Sequence, residues 1–220
     1  NREAFVERVR AATGHSIDVL SGAEEARLAL LGVSSGLPEL GDRFVLLDIG
    51  GGSTEFILAE AGRPRMTVSL RLGVVALAER YVDAGPVAPA RFEAMRREVA
   101  ARLDTELPAE MAAGASPTLV GTAGTVTSVA ALDLDLTAYD PDRVQGHVLH
   151  RSAVKRQLAR LAALSLAERA ALPGLEPGRA DILIPGIAIC LAAMARLGFD
   201  SLVVSDRGLR EGVLCEMLGT

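Results

Sequence analysis

The 220-residue chain has no tryptophan, and aromatic residues make up only 3% of it. This scarcity argues against a site that binds nucleic acid by stacking bases on aromatic rings. The core must come mainly from Leu, Val, Ile and Ala, since half of the residues are apolar. Cysteine is also rare: Cys190 and Cys215 lie far apart in apolar helical patterns, and we interpret both as reduced core thiols. No Cys or His spacing typical of a metal site is present.

Charge and hydropathy argue against two further classes of partner. The formal net charge of −5 disfavours general binding to nucleic acid or to a membrane surface. The longest apolar run, residues 182–195, contains Pro185 and is too short to cross a bilayer. No secretory signal pattern is recognised, so we expect a cytoplasmic protein without a membrane partner.

The most informative motif is Asp48-Ile49-Gly50-Gly51-Gly52-Ser53-Thr54-Glu55. Short apolar runs on both sides predict a strand, a glycine turn and a second strand. The glycines leave room for a ligand, and successive amides of such a turn can bind an anion. The carboxylate of Asp48 would repel a phosphate unless a metal ion lies between them or the carboxylate orients a water. A plain tight hairpin would also explain the glycines, whereas a P-loop and a dinucleotide fingerprint do not fit.

A second glycine motif, Gly121-Thr122-Ala123-Gly124-Thr125, follows a strand predicted over residues 117–120 and precedes a helical pattern from Val126. Free amides and the helix dipole make such a helix start a natural phosphate site. The alternative is an ordinary strand-to-helix turn with Thr125 as the N-cap. Two such motifs about 70 residues apart are more specific than either alone, because a two-sided cleft needs both.

Strand and helix patterns alternate along the rest of the chain, which predicts an α/β fold with a mixed sheet and helices packed on it. Gly32 is predicted to end the second helix. The predicted helices span residues 4–13, 22–31, 74–82, 91–107, 152–164, 180–197 and 208–218. The further predicted strands span residues 16–20, 66–70 and 201–205.

Ser21 and Glu24 have the spacing of a capping box, which gives Glu24 a structural role at a helix start. Glu25 has no such role, although the helix dipole favours its ionised form. The residues alone leave Glu25 either a solvated terminal charge or a functional acid. Arg27 is either a phosphate contact or a surface ion-pair partner.

Several segments, in order and over nearly the whole chain, resemble the Ppx/GppA phosphatase family of exopolyphosphatases and guanosine pentaphosphate phosphohydrolases. The resemblance is carried by both glycine motifs and by four further segments, namely residues 21–28, 69–73, 179–182 and 204–212. It implies an actin-like ATPase fold of the sugar kinase, Hsp70 and actin type, with phosphate bound between two domains.

The resemblance also implies roles for individual residues. Glu25 matches the catalytic acid that orients or deprotonates the attacking water, and Asp48 and Glu55 match acidic positions associated with Mg²⁺ or another divalent cation. The implied chemistry is hydrolysis of terminal phosphoanhydride bonds by in-line water attack. The phosphate-binding positions are Gly50, Gly51, Gly52, Ser53, Thr54, Gly121, Thr122, Gly124 and Thr125.

Full-length family members begin with a first actin-like domain that carries an Asp-x-Gly-Ser-Asn-Ser loop, which this sequence lacks. We therefore predict that residues 1–32 are the end of that domain and that residues 33–220 form the second. The expected substrate is inorganic polyphosphate, with guanosine pentaphosphate (pppGpp) as the close alternative. The resemblance further implies a homodimer for the complete protein.

Two other classes stay open on the residues alone. An actin-like kinase or ATPase would share the paired phosphate loops, and a non-catalytic phosphate-binding regulatory domain would fit the missing first domain. His147 and His150 are interpreted as loop or surface residues, because a zinc site needs about three protein ligands.

Overall fold

A computed structural model describes residues 2–112 and 118–219. Its helices are α1 (Arg2–Thr13), α2 (Gly22–Gly36), α3 (Val74–Tyr81), α4 (Pro89–Glu106), α5 (Ala123–Asp133), α6 (Pro141–Val144), α7 (Arg151–Ala162), α8 (Leu166–Ala170), α9 (Leu183–Leu197) and α10 (Leu209–Leu218). Its strands are β1 (Arg43–Ile49), β2 (Thr54–Glu60), β3 (Arg63–Leu70), β4 (Leu119–Thr122), β5 (Val148–His150) and β6 (Ser201–Val204). Single 3₁₀ turns occupy Ala109–Met111 and Pro177–Arg179.

The strands form one mixed sheet in the order β3-β2-β1-β4-β6-β5. β1, β4 and β6 run parallel to one another, and β2, β3 and β5 pair antiparallel to their neighbours. The predicted mixed sheet is thus confirmed. Because the three parallel strands end at the same edge, the turns that follow them meet there, which is the usual ligand-binding edge of such sheets.

The two faces of the sheet carry cores of different size. Val45, Leu47 and Ile49 of β1 lie in the large core formed with helices α3, α4, α5, α7 and α9. The alternate residues Phe44 and Leu46 lie in a smaller core, which α2 covers with its buried apolar side chains. A strand buried on both faces requires a nearly continuous apolar run, and residues 44–47 supply one.

Two predictions of local structure near the start of the chain are wrong. Residues 16–20 form no strand, because they pair with neither edge of the sheet and most of them are exposed. The second helix does not end at Gly32 but continues to Gly36. Here the glycine serves close packing, because a Cβ on Gly32 would lie 1.9 Å from the carbonyl oxygen of Gly208 before α10.

The turn after β4 is tighter than the sequence predicts. α5 begins at Ala123, earlier than the predicted start at Val126. Its N-cap is Thr122 and not Thr125. Ala123 has a φ of 65°, which folds strand directly into helix. The short strand β5 was not predicted, and Pro117 of the strand predicted over residues 117–120 lies outside the described residues.

Candidate functional site

A row of polar side chains crosses the α2 face of the sheet near the ends of the parallel strands. Asp48 of β1 pairs with Glu55 of β2 on one side and with Thr122 of β4 on the other. Glu55 in turn pairs with Ser69 of β3, and the Ser69 hydroxyl donates to Oε1 of Glu55 over 2.7 Å. Residues opposite each other in a sheet point to the same face, so the two predicted metal-binding carboxylates are neighbours.

The start of α2 brings a third carboxylate to this row. Ser21 caps the helix, and its amide and hydroxyl donate to Glu24 Oε2 over 2.9 and 2.7 Å, which confirms the capping box. The backbone hydrogen bond from Ser21 holds the pKa of Glu24 below its usual value. Glu25 is exposed, and the next residue, Ala26, is buried against the sheet. The two adjacent acids therefore differ in their surroundings. Glu24 is used in the helix cap, whereas Glu25 takes no part in the cap and its charge acts on Asp48.

The pKa of Asp48 records how close these acids are to each other. Three causes together raise the pKa of this carboxyl from 3.8 to about 6: first burial, then the negative charge of Glu55, and then that of Glu25. Like charges disfavour one another's ionised forms when they share a site. Glu25, Asp48 and Glu55, which the sequence places on three different elements, therefore belong to one electrostatic cluster.

The first glycine turn lies next to this cluster. The Gly50 amide donates to the Ser53 carbonyl over 2.9 Å, so it is used within the turn. Gly51 and Gly52 are exposed, and among the described residues their amides find no hydrogen-bond acceptor. Thr54 is fully buried and donates to the Leu72 carbonyl over 2.6 Å. Of the predicted phosphate contacts in this turn, the amides of Gly51 and Gly52 are thus the best placed.

Gly73, at the start of α3, supports the first turn from behind. The amides of Val74 and Val75 donate to the carbonyls of Gly50 and Gly51. A Cβ on Gly73 would lie 2.2 Å from the Gly51 oxygen, so any other residue would displace the turn. Residues 69–73 form one of the family-like segments, but only the packing shows that Gly73 supports the turn.

The second glycine motif is divided between the end of β4 and the first turn of α5. Gly121 is buried in the strand, where its carbonyl accepts from the Ser205 amide, and Thr125 packs against Gly186 of α9. Thr122 donates to the Arg207 carbonyl over 3.0 Å. Ala123 and Gly124 of this motif border an open cleft. The assignment of Gly121, Thr122 and Thr125 to phosphate binding stays a prediction.

The cleft beside Gly124, called the second cleft below, has a volume of about 230 Å³ and is mainly polar. The Arg179 guanidinium packs so close to Gly124 that a Cβ there would lie 1.9 Å from Nη1. Arg210, Glu176, Asp206 and Tyr139 also line the cleft. The Tyr139 hydroxyl donates to Asp206, and burial followed by this hydrogen bond raises the tyrosine pKa. Arg179 and Tyr139 were not predicted as site residues, although Arg179 begins one of the family-like segments.

A larger groove of about 620 Å³ lies elsewhere, between α4, α7 and α9. Those helices pack on the other face of the sheet, and none of the predicted site residues lines this groove. His147 is partly buried and lies 3.1 Å from Asp133, away from the carboxylate cluster. The groove and His147 therefore lie outside the candidate site.

The donor chemistry of the cluster fits a hard divalent cation. Carboxylate oxygens are the ligands that Mg²⁺ takes from proteins, usually one or two of them together with water and substrate phosphates. Asp48 and Glu55 provide such a pair. Among residues 2–112 and 118–219, no group of three or more Asp, Glu, His or Cys has the arrangement of a complete metal site.

The sheet order and the helix on its smaller core define an α/β protein of the actin-like class. Residues 1–220 match the Ppx/GppA phosphatase family, and the chain belongs to that family. The crystal structure of the Aquifex aeolicus PPX-GPPA enzyme superposes with a TM-score of 0.83 at 32% identity, covering 97% of this chain and 70% of that one. An exopolyphosphatase-like protein superposes with a TM-score of 0.88 at 27% identity, covering 99% of this chain and 73% of that one.

Curated relatives agree with the structural comparison. The chain is 35% identical to exopolyphosphatase 2 of Mycobacterium tuberculosis over 214 residues, which are 94% of this chain and 65% of that protein. It is 29% identical to guanosine-5'-triphosphate,3'-diphosphate pyrophosphatase of Aeromonas hydrophila over all of this chain and 42% of that protein. The chain thus spans less than two thirds of the length of these relatives. In the described part of the chain, no helix is long and apolar enough to cross a membrane.

Proposed function

We propose that the protein containing this chain hydrolyses terminal phosphoanhydride bonds of inorganic polyphosphate. The observation that carries the proposal is the meeting of Glu25, Asp48 and Glu55 beside the exposed amides of Gly51 and Gly52. An acid, a cation-binding pair and anion-binding amides are the parts that metal-assisted phosphoryl transfer to water requires. The names of the related exopolyphosphatases support the choice of substrate.

In the proposed reaction the terminal phosphate binds to the amides of Gly51 and Gly52. A water molecule attacks the terminal phosphorus in line with the bridging oxygen, the phosphoanhydride bond breaks, and the shortened chain leaves. Glu25 orients this water and accepts its proton. Asp48 and Glu55 would hold a divalent cation, which neutralises charge on the transferred phosphoryl group when it is bound.

The second cleft supplies a place for the rest of the substrate. Arg179 and Arg210 line it, and guanidinium groups bind phosphate oxygens well. The same cleft contains Glu176, Asp206 and Tyr139, which offer hydrogen bonds to a nucleoside as well. Because the cleft offers both guanidinium groups and other hydrogen-bonding side chains, guanosine pentaphosphate is the second candidate substrate. The name of the Aeromonas relative supports this candidate.

The test compares two adjacent acids in the full-length protein. Glu25→Gln should lower kcat on polyphosphate by about 100-fold or more, since a positioned general base contributes about 10²–10⁴-fold. Glu24→Gln is the matched control, because glutamine also completes a capping box, and it should keep kcat within about twofold. Phosphate release is measured in parallel on polyphosphate, guanosine pentaphosphate and ATP.

The outcomes separate the candidate functions. Faster release from guanosine pentaphosphate than from polyphosphate would change the substrate, and ATP turnover alone would favour the kinase or ATPase alternative. Undiminished turnover in Glu25→Gln would refute the catalytic assignment of Glu25, whereas no phosphate release from any of the three substrates would favour a phosphate-binding domain without chemistry.

Three further expectations belong to this proposal. The active protein is cytoplasmic and homodimeric, and its cleft forms between residues 33–220 and a first domain of which residues 1–32 are the end. The weak attachment of α1 supports the last point, since no residue of this helix is buried and Phe5 is 59% exposed. Light scattering of the full-length protein would test the dimer.

A further inference from the structure

Gln145 connects the second cleft with the end of the helix that carries Glu25. It is the C-cap residue of α6 and is partly buried. Its Nε2 donates to the Gly36 carbonyl over 3.0 Å, and its Oε1 accepts from the Asp206 amide over 2.7 Å. Both ends of one side-chain amide are therefore used, one toward α2 and one toward the segment after β6.

The end of α2 is shaped to receive this contact. A Cβ on Gly36 would lie 2.7 Å from Gln145 Nε2 and 2.7 Å from Arg207 Cδ, so both side chains cross the helix where the glycine leaves room. Arg207 Nη1 donates to the Ser35 carbonyl over 3.1 Å. The last carbonyls of a helix lack partners within the helix. At this end of α2, Gln145 and Arg207 donate hydrogen bonds to the carbonyls of Gly36 and Ser35.

The segment that holds Gln145 is itself tied to the second glycine turn. The carbonyl of Arg207 accepts from the hydroxyls of Thr122 and Ser205, over 3.0 and 2.8 Å. Asp206, whose amide binds Gln145, has its carboxylate in the cleft with Tyr139. A continuous set of hydrogen bonds therefore runs from the cleft to the C-terminal end of α2.

α2 crosses α10 between this end and Glu25. A Cβ on Gly212 would lie 1.8 Å from the Leu28 oxygen, so the two backbones touch near Leu28 and Gly32. At 1.5 Å per residue, Gly36 lies about 6 Å beyond Gly32 and Glu25 about 10 Å on its other side. A rigid helix pivoting at Gly32 would thus convert a shift of about 0.5 Å at Gly36 into nearly 1 Å at Glu25.

We propose that Gln145 is a positioning residue. By anchoring the C-terminal end of α2 to the second cleft, it fixes the position of Glu25 relative to Asp48. The inference rests on the proposed function, because it requires Glu25 to act on the attacking water. A misplacement of about 1 Å far from the reacting atoms can lower a rate by up to about 100-fold. Gly36 is not among the residues that line the second cleft, so loss of the Gln145 bond to its carbonyl should affect the transition state and leave substrate binding nearly unchanged.

Gln145→Glu keeps the shape of the side chain and the bond from Asp206, but places an oxygen against the Gly36 carbonyl. In the full-length protein we expect about a tenfold lower kcat with KM within about twofold. Gln145→Met, which removes both hydrogen bonds without adding charge, should act in the same direction. Gln157→Glu is the matched control, since Gln157 is also partly buried and donates to the C-terminal Leu132 carbonyl of α5 over 3.4 Å, but lies on α7. Its kcat should not change.

A double-mutant cycle separates positioning from general destabilisation. If Gln145 acts through Glu25, Gln145→Glu should cause no further loss of the residual turnover once Glu25 is already glutamine. Equal losses in both backgrounds would overturn the inference, as would normal kcat in both Gln145 variants. If Glu25→Gln itself keeps full turnover, the proposed function has failed instead, so the two failures are distinguishable.

Discussion

Replacing Asp48 by asparagine should stabilise the protein while it abolishes activity. Asp48 is partly buried beside two other acids, and its pKa is raised from 3.8 to about 6 by burial, then by Glu55 and then by Glu25. The folded state therefore holds a proton on Asp48 more tightly than the unfolded state does. Ionising this carboxyl destabilises the fold, and a neutral side chain of similar shape avoids that penalty.

The sign and the size of the effect follow from the shift. Below about pH 4 the carboxyl is protonated in both states, so the substitution should change the free energy of unfolding little. The penalty grows between about pH 4 and 6 and is complete above pH 6. A shift of about two units corresponds to at most about 3 kcal/mol, and screening at this partly exposed site reduces it to about 1–2 kcal/mol.

Urea unfolding of both proteins at pH 4 and pH 8, without divalent cations, measures the effect. Asp42→Asn is the control, because this exposed acid immediately precedes the opposite end of β1. Mg²⁺ at ten times its dissociation constant should stabilise the wild type by about 1.4 kcal/mol and should not stabilise Asp48→Asn. Equal stability at pH 8, or a gain confined to pH 4, would refute the electrostatic reasoning.

Two further predictions concern packing and burial. Gly212→Ala should destabilise the protein by about 2–3 kcal/mol, because its Cβ would lie 1.8 Å from the Leu28 oxygen, whereas Gly22→Ala, with open space around it, should not. Thermal unfolding compares the two, and equal melting temperatures would contradict the close helix crossing. Burial raises the pKa of Cys190 to about 12, so iodoacetamide at pH 8 should modify this thiol only after denaturant is added. Modification of Cys190 in the native protein, detected by mass spectrometry, would contradict its burial.

Local patterns predicted most elements because the cause of each element is itself local. The apolar runs around the first glycine motif became β1 and β2, and the Ser21 and Glu24 pair became a capping box. The prediction at residues 16–20 failed because a strand requires a neighbour, which no local pattern can supply. The prediction at Gly32 failed for a related reason. The local sequence does not distinguish a glycine that ends a helix from one that allows a second helix to pack closely.

The sequence by itself determined the family and the α/β class, and it singled out the three acids of the proposed site, because motif order and residue chemistry are written along the chain. Only the tertiary structure decided that Asp48 and Glu55 are direct neighbours and that Glu25 raises the pKa of Asp48. It alone decided that Arg179 lies on Gly124 and that Gln145 joins α2 to the second cleft. The physical reason is that electrostatic coupling and hydrogen bonding depend on distances of a few ångströms. Strand register and helix crossing set those distances between residues that are far apart along the chain.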